Sequence, residues 1–428
     1  MSRIVIVVLV AGLLVGGWLV SPVVPAPVEE PGLEPAAAAA AVCPVRLDRT
    51  ADGKLTVAST VIEPSRVTVS TGGAVATDLS VPVSEAGGGA VTFDELTVGG
   101  AAGAFVEYPF PASAAATVSR GEAGVTGAAC STLVRTTSLI TGASTRNSES
   151  LELVLVNPYG SDAVVAVESA SEIGPDSADA LAQVVVPARS TVTRDIASLL
   201  PLRNRLSFFL TPVRGLVHGF VEGGGRGDRV VLEYVEPRSE WVTPIPQFEG
   251  SPTSLVLSTA SPVEVVFRLD GWVDGEYVEG VLAESIPPRG QVEIALADLE
   301  MTLDIVRVAA DGPIGVSVVT DGETGRAATP ANPEALLEWL MPGPGSVGSM
   351  AWVGVTGETD AVVEFLSLDP AVESFTVEAP VGRLIAVPLD GQPIGYTLRS
   401  NTPITVLWSV SDETGLGLGT PVAIPGGE

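Results

Sequence analysis

Residues 270–279 combine the two kinds of side chain that act together on carbohydrates, carboxylates and aromatic rings. The carboxylates and rings of this segment are Asp270, Asp274, Glu276 and Glu279, with Trp272 and Tyr277. Paired carboxylates serve as acid and nucleophile or base in glycoside hydrolases, and neighbouring rings can stack on a sugar. The same acids could hold Ca²⁺, although their spacing is not that of an EF-hand. Both chemistries compete with an exposed acidic loop, which is the interpretation that we favour.

No other part of the sequence offers a catalytic constellation. His218 is the single histidine and lies in an apolar run with Phe220 and Val221. A general base, a zinc ligand and a triad member each need partners that the run does not supply. We interpret His218 as structural, and the motifs GxSxG, SxxK and HExxH are missing. The sequence therefore predicts a protein that is not an enzyme, with no cofactor and no metal.

The thiol inventory consists of Cys43 and Cys130. Without a CxxC pair, the spacing excludes a zinc site. Outside the cytoplasm, two cysteines that flank one segment predict a disulfide. A reactive thiol pair is the alternative.

Composition predicts many short strands around aliphatic cores. Apolar residues make up 46% of the 428 residues and aromatic residues only 5%, while 47 Gly and 34 Pro supply frequent turns. Abundant Val favours strands, because its branched side chain packs well on a pleated surface. The net charge of −29 repels phosphate backbones, so the sequence predicts no nucleic-acid partner.

The N-terminus predicts a signal anchor. Ile4 to Val20 contains no charged residue, Arg3 precedes this run, and Glu29 and Glu30 follow it. This charge order predicts a cytoplasmic N-terminus and an extracytoplasmic bulk. Because Val42 precedes Cys43, the sequence does not favour a lipoprotein, while a cleaved signal peptide is the competing interpretation. We therefore expect a transmembrane helix at 1–20 and a Pro/Ala-rich tether at 21–42, in a single-pass protein of the cell membrane.

Three landmarks recur at intervals of about 100 residues, which indicates duplication. They are an opening strand, a Pro-led strand and a closing hairpin. The opening strands are Leu151–Val156, Ser254–Leu257 and Met350–Val355, and Glu-Trp pairs precede the last two at Trp241 and Trp339.

The repeats divide the extracytoplasmic part into four predicted domains. They are a divergent N-terminal β domain at 43–130 and three β-sandwich repeats at 131–236, 237–330 and 331–428. The fold class that we predict is all-β, with tandem immunoglobulin-like β-sandwich repeats behind the transmembrane helix. Short helices are expected only at 333–340 and 196–200.

The order of Cys130, Leu139–Gly142 and Leu153–Pro158, followed by a Pro-led strand and a hairpin, resembles a known pattern. It is similar to an actinobacterial family of secreted or single-pass proteins known only as a domain of unknown function. The resemblance covers most of the chain and is strongest from Val118 to Gly223. It departs near Leu139, where relatives often carry Trp. The resemblance implies an envelope location and β-sandwich repeats, and it supplies no catalytic residues.

These observations predict a non-enzymatic, membrane-anchored protein of the cell envelope. Its role would be to bind or scaffold an unknown envelope protein or glycan, with the membrane contacted through the N-terminal helix. The alternative is a carboxylate-dependent hydrolase that acts on envelope glycans.

Overall fold

The described part of the chain is built almost entirely from antiparallel β-strands. The computed structural model describes residues 39–47, 52–59, 62–71, 74–96, 100–108, 113–121, 124–131, 136–146, 150–225, 228–322, 325–343, 348–389, 394–412 and 415–424. The predicted anchor at 1–20 and most of the predicted tether lie outside these residues. The predicted all-β class is confirmed.

The strands group into four β-sandwiches, which we number in chain order. Sandwich 1 contains β1 (Ala39–Leu47), β2 (Asp52–Ser59), β3 (Ser65–Thr71), β4 (Ala74–Val81), β5 (Gly88–Thr92), β6 (Gly100–Tyr108), β7 (Ser113–Gly121) and β8 (Gly124–Ala129). Sandwich 2 contains β9 (Ser138–Ala143), β10 (Ser150–Asn157), β11 (Ala163–Ser171), β12 (Gly174–Asp176), β13 (Val184–Val186), β14 (Ser190–Asp195), β15 (Leu206–Arg214), β16 (His218–Gly225) and β17 (Asp228–Glu233).

The second half of the chain repeats this arrangement with longer strands. Sandwich 3 contains β18 (Arg238–Pro244), β19 (Thr253–Ser258), β20 (Val265–Val273), β21 (Glu276–Ile286), β22 (Gln291–Ala295), β23 (Ile305–Gly322) and β24 (Gly325–Pro330). Sandwich 4 contains β25 (Leu336–Pro342), β26 (Ser349–Val355), β27 (Ala361–Ser367), β28 (Phe375–Ala379), β29 (Leu384–Pro388), β30 (Gly395–Asp412), β31 (Gly415–Gly419) and β32 (Val422–Ala423).

Helical structure is limited to single turns among the described residues. They are α1 (Ile196–Leu199) and 3₁₀ turns at Phe93–Leu96, Asp179–Leu181 and Leu296–Asp298. The helix expected at 196–200 is confirmed, and the Asp195 side chain caps it by accepting from the Ser198 amide. The helix expected at 333–340 is wrong, because Leu336–Pro342 is a strand that pairs with β30 and with β32.

Each sandwich packs two antiparallel sheets of the same topology. The first sheet, which we call sheet I, has the orders β4-β3-β6-β1, β12-β11-β15-β9, β21-β20-β23-β18 and β28-β27-β30-β25. The second, sheet II, has the orders β5-β2-β7-β8, β14-β10-β16-β17, β22-β19-β23-β24 and β29-β26-β30-β31. The 18-residue strands β23 and β30 pass from one sheet into the other, so each serves both layers.

Period-two patterning forms these sheets. In β20, Val265, Phe267 and Leu269 are buried while Val266 and Arg268 between them are exposed. Successive side chains of a strand point to opposite faces, so such a sequence buries one face only.

The predicted disulfide between Cys43 and Cys130 is confirmed. It joins β1 to the segment that leaves β8, and the adjacent Val42 and Ser131 form a two-way backbone bridge. Leu139 and Val235 make the corresponding bridge in sandwich 2 without a disulfide. The disulfide therefore reinforces a connection that the next sandwich makes by hydrogen bonds alone.

The four sandwiches form a closed cycle rather than a row. Strands β8, β17, β24 and β31 contact one another in cyclic order, and β31 returns to β8. Sheet I of each sandwich packs on sheet II of the next, and β25 of sandwich 4 contacts β7 of sandwich 1. We call each such contact a seam. Gly127 of β8 allows the closest approach at the closing seam, since a Cβ there would overlap the indole of Trp408.

Candidate functional site

A cleft of about 480 Å³ lies at the seam between sandwiches 3 and 4. We call it the aromatic cleft. Its polar and aromatic lining is contributed by Glu240, Trp241, Trp272, Tyr277, Arg307, Glu334 and Thr356. The structure therefore brings two aromatic residues of the predicted segment 270–279 into a concave surface.

Strand pairing fixes the two aromatic rings of the aromatic cleft. Trp272 near the end of β20 pairs directly with Tyr277 near the start of β21. Their ring centroids are 4.8 Å apart at an interplanar angle of 56°. Tyr277 remains 41% exposed, which leaves part of its ring open to the cleft.

Asp270 does not belong to an exposed loop, so that interpretation is wrong for this residue. It is fully buried in β20, next to a β-bulge between Leu269 and Gly271. Its carboxylate accepts from Arg268 Nε at 2.8 Å, from the Gly280 amide at 2.8 Å and from the Tyr277 hydroxyl at 3.0 Å. Burial alone would raise the pKa of Asp270, but these hydrogen bonds and the Arg268 charge outweigh it and lower the pKa.

The other three acids of segment 270–279 lie outside the aromatic cleft. Asp274 occupies the β20–β21 turn with a positive φ of 53° and pairs with Arg383 of sandwich 4 at 2.7 Å. Glu276 and Glu279 are exposed on β21, and the loop interpretation agrees with their exposure. None of these three carboxylates lines the aromatic cleft.

Asp304 is an ionisable neighbour of Asp274 that the sequence did not predict. It directly precedes β23, and its amide donates to the Trp272 carbonyl at 2.8 Å. Burial, together with the nearby Asp274 charge, raises the pKa of Asp304, and Arg383 opposes the shift. Asp304 lies 30 residues from Asp274, so no local pattern could have associated them.

The charges that line the aromatic cleft are paired. Glu240 accepts from Arg307 at 3.0 Å, and Glu334 lies 3.7 Å from Arg238. Hydrogen bonding to Glu240 is the main cause that raises the pKa of Arg307, which stays charged. Each glutamate of the lining thus has an arginine partner.

A second cleft of about 320 Å³ occupies the related seam between sandwich 4 and sandwich 1. We call it the closing cleft. It also contains a glutamate–arginine pair, Glu338 and Arg399 at 3.0 Å. Cross-strand register places Leu366 of β27 where β20 has Asp270. Leu368 follows the end of β27, and its amide bond to the Gly395 carbonyl places it where β20 has Trp272. Both leucines line the closing cleft, and Leu368 is buried with Ala58, Ala114 and Leu340.

Two ionisable groups of sandwich 2 are enclosed in the protein. His218 is fully buried, burial lowers its pKa to about 3, and it packs on Tyr234 with centroids 4.7 Å apart. Glu233 is buried at the seam with sandwich 1, where Ser131 donates to it at 2.6 Å. Burial raises the pKa of Glu233 to about 8, partly offset by hydrogen bonds from Ser131 and the Ala129 amide.

Two features are absent from the residues that the structure describes. These residues contain no cluster of three or more His, Cys, Asp or Glu side chains arranged for a metal ion. Among the same residues, no helix has the length and apolarity that a bilayer crossing requires.

Comparisons with known proteins identify no family for this chain. No family model matches it, and no curated protein matches its sequence. A solved structure described as a tetra-tandem repeat in the extending region of a large adhesion protein aligns with 90% of this chain and 100% of its own. The identity is 12% and the TM-score is 0.11, a value too low to establish a shared fold.

Proposed function

We propose that this chain is a non-enzymatic binding or scaffold protein of the cell envelope, anchored to the membrane by residues 1–20. The apolar run and charge order of the N-terminus support the anchor. The closed cycle of sandwiches supports a rigid platform, because each sandwich is held by two neighbours. The ligand would be an envelope protein or a glycan.

The observation that carries the non-enzymatic role is that Asp270 and Asp274 are engaged in contacts within the protein. A glycoside hydrolase needs two carboxyl groups facing each other across the bound sugar. Asp270 is instead enclosed by donors, and Asp274 forms an ion pair between sandwiches 3 and 4. These contacts support a structural role for both residues.

The test measures retention and turnover together. The full-length chain, in a sugar-free detergent, is incubated with purified cell-envelope glycan and with envelope membranes. We expect the chain to be retained on one of them without release of reducing ends. Absence of retention on both would contradict the proposal.

One observation favours the hydrolase as the second candidate. Asp304 has a raised pKa beside Asp274 and Arg383, and a carboxyl group of raised pKa is what a general acid requires. Neither Asp304 nor Asp274 lines the aromatic cleft, which argues against the idea. Release of reducing ends that disappears in Asp304→Asn and in Asp274→Asn, but persists in the exposed control Glu276→Gln, would establish the hydrolase and end our proposal.

A further inference from the structure

The aromatic cleft contains a ring that is both exposed and rigidly held. Tyr277 is 41% exposed, yet its hydroxyl donates to the buried carboxylate of Asp270 at 3.0 Å. Trp272 supports the ring from the side, with centroids 4.8 Å apart. A ring fixed in this way loses little conformational entropy when a ligand stacks on it.

The charges around the ring select against ions. Glu240 is neutralised by Arg307, and Glu334 lies near Arg238. An anion would meet the carboxylates of Glu240 and Glu334, and a cation would meet the guanidinium group of Arg307. The lining still offers carboxylate oxygens as acceptors and the Arg307 guanidinium group as a donor. A neutral ligand that is rich in hydroxyl groups therefore suits this lining best.

Sugars combine these two requirements in one molecule. A pyranose presents a face of C–H groups that packs on an aromatic ring and an edge of hydroxyls that both donate and accept. The volume of about 480 Å³ falls within the usual range of ligand clefts. We propose that the aromatic cleft binds a neutral pyranose unit of a glycan, with the sugar face on Tyr277 and Trp272 and the hydroxyls on Glu240 and Arg307.

This assignment rests on the proposed binding function and names its ligand class. We do not assign saccharide binding to the closing cleft. That cleft keeps a glutamate–arginine pair but has Leu366 and Leu368 in place of Asp270 and Trp272. It therefore lacks the aromatic platform and serves as an internal control.

Isothermal titration calorimetry of the full-length chain, in a sugar-free detergent, tests the assignment. The probes are linear hexasaccharides of glucose, of N-acetylglucosamine and of mannose. We expect at least one to bind, with an affinity that falls about tenfold in Tyr277→Ala, which corresponds to the loss of one aromatic stacking contact.

Two further variants separate stacking from other roles of Tyr277. Tyr277→Phe keeps the ring and removes the hydroxyl bond to Asp270, so it should bind within about twofold of the wild type, since the stacking face remains. Glu338→Gln changes the closing cleft and should leave the affinity unchanged. Trp272→Leu introduces the residue type that the closing cleft has at the matching position, Leu368. This variant should bind the saccharide more weakly, and it keeps the assignment testable if Tyr277→Ala does not fold.

The outcomes separate this inference from the proposed function. Failure of all three probes to bind, or binding that is equal in wild type, Tyr277→Ala and Trp272→Leu, overturns the saccharide assignment. In either case, retention of the wild type on envelope membranes without turnover would leave the binding function standing. Loss of retention as well would contradict both.

Discussion

The aromatic cleft and the closing cleft occupy related seams and have different chemistry. In both, sheet I of one sandwich faces the next sandwich, and a glutamate of the first strand pairs with an arginine at 3.0 Å. The arginines come from different positions, Arg307 opposite Val242 and Arg399 opposite Glu338. The larger difference is on the neighbouring strand, where Asp270 and Trp272 of β20 correspond to Leu366 of β27 and to Leu368 directly after it.

The comparison shows how one seam can carry buried apolar packing while another carries a cleft lined by aromatic rings. Leu368 packs into an apolar cluster with Ala58 and Ala114 of sandwich 1, and burial of such surface stabilises the contact. Trp272 and Tyr277 instead line a cleft, and the Tyr277 hydroxyl donates to the buried carboxylate of Asp270. Two residue positions on one strand thus separate a structural seam from a candidate binding seam.

The largest expected effect on stability tests whether Trp241 and Trp339 stabilise sandwiches 3 and 4 to the same extent. Trp241 and Trp339 are buried at matching positions and donate to the carbonyls of Ile314 and Ile404 at 3.0 and 3.1 Å. Trp241→Ala and Trp339→Ala should each lower the free energy of unfolding by about 3–5 kcal/mol, because each leaves a cavity and an unpaired carbonyl. Urea unfolding followed by far-UV circular dichroism measures this. A large cost at one position and almost none at the other would show that the frameworks are not equivalent.

The seam between sandwiches 1 and 2 differs from both clefts, because it buries an acidic residue, Glu233. Because the folded-state pKa of Glu233 is about 8, well above the ordinary value of 4.5, the folded protein holds a proton that the unfolded chain releases. The stability that this provides is complete below pH 4.5 and is lost as the pH rises to 8, by up to about 1.4 kcal/mol per pH unit.

Glu233→Gln should remove this slope, whereas the exposed control Glu249→Gln should keep it. The measurement is the urea midpoint between pH 6.5 and 8. This window avoids His218, whose lowered pKa makes stability fall as the pH drops from 6.5 towards 3. Equal slopes in wild type and Glu233→Gln would show that Glu233 is ionised in the folded protein.

The smallest expected effect concerns the ion pair that crosses the open seam. Asp274 and Arg383 are 83% and 45% exposed, so solvent screens their attraction. Asp274→Asn should change the free energy of unfolding by less than about 1 kcal/mol, and added salt should reduce the difference further. Thermal unfolding at low and high salt measures it. If Asp274→Asn lowered the free energy of unfolding by several kcal/mol, this pair would be a main stabilising contact between sandwiches 3 and 4. The contrast with the closing cleft would then be weaker.

Local patterns predicted much of what is local in this protein. Abundant Val and the frequent Gly and Pro predicted an all-β chain, because Val packs well on a pleated surface and Gly and Pro mark turns. The cysteines predicted their own disulfide. The prediction failed at 333–340, where we expected a short helix but pairing with β30 imposed a strand. For a short segment, tertiary pairing outweighs intrinsic propensity.

The candidate site was predicted in part. Trp272 and Tyr277 were identified beside acids, and the structure places both rings in one cleft. The sequence could not show that Asp270 is buried, because its burial depends on a bulge and on donors from β21. Nor could it associate Glu240, Arg307 and Thr356 with the rings, since two other strands and the turn after β26 bring them there.

The sequence by itself determined the strands, the repeats and the disulfide, because each depends on residue types at short or regular spacing. Only the tertiary structure decided that the four sandwiches form a cycle. The hydrogen bond from Thr56 to the carbonyl of Ile394 joins parts of the chain that no periodicity relates. Such contacts depend on how whole sheets pack, and at the closing seam that packing relies on Gly127 accommodating the ring of Trp408.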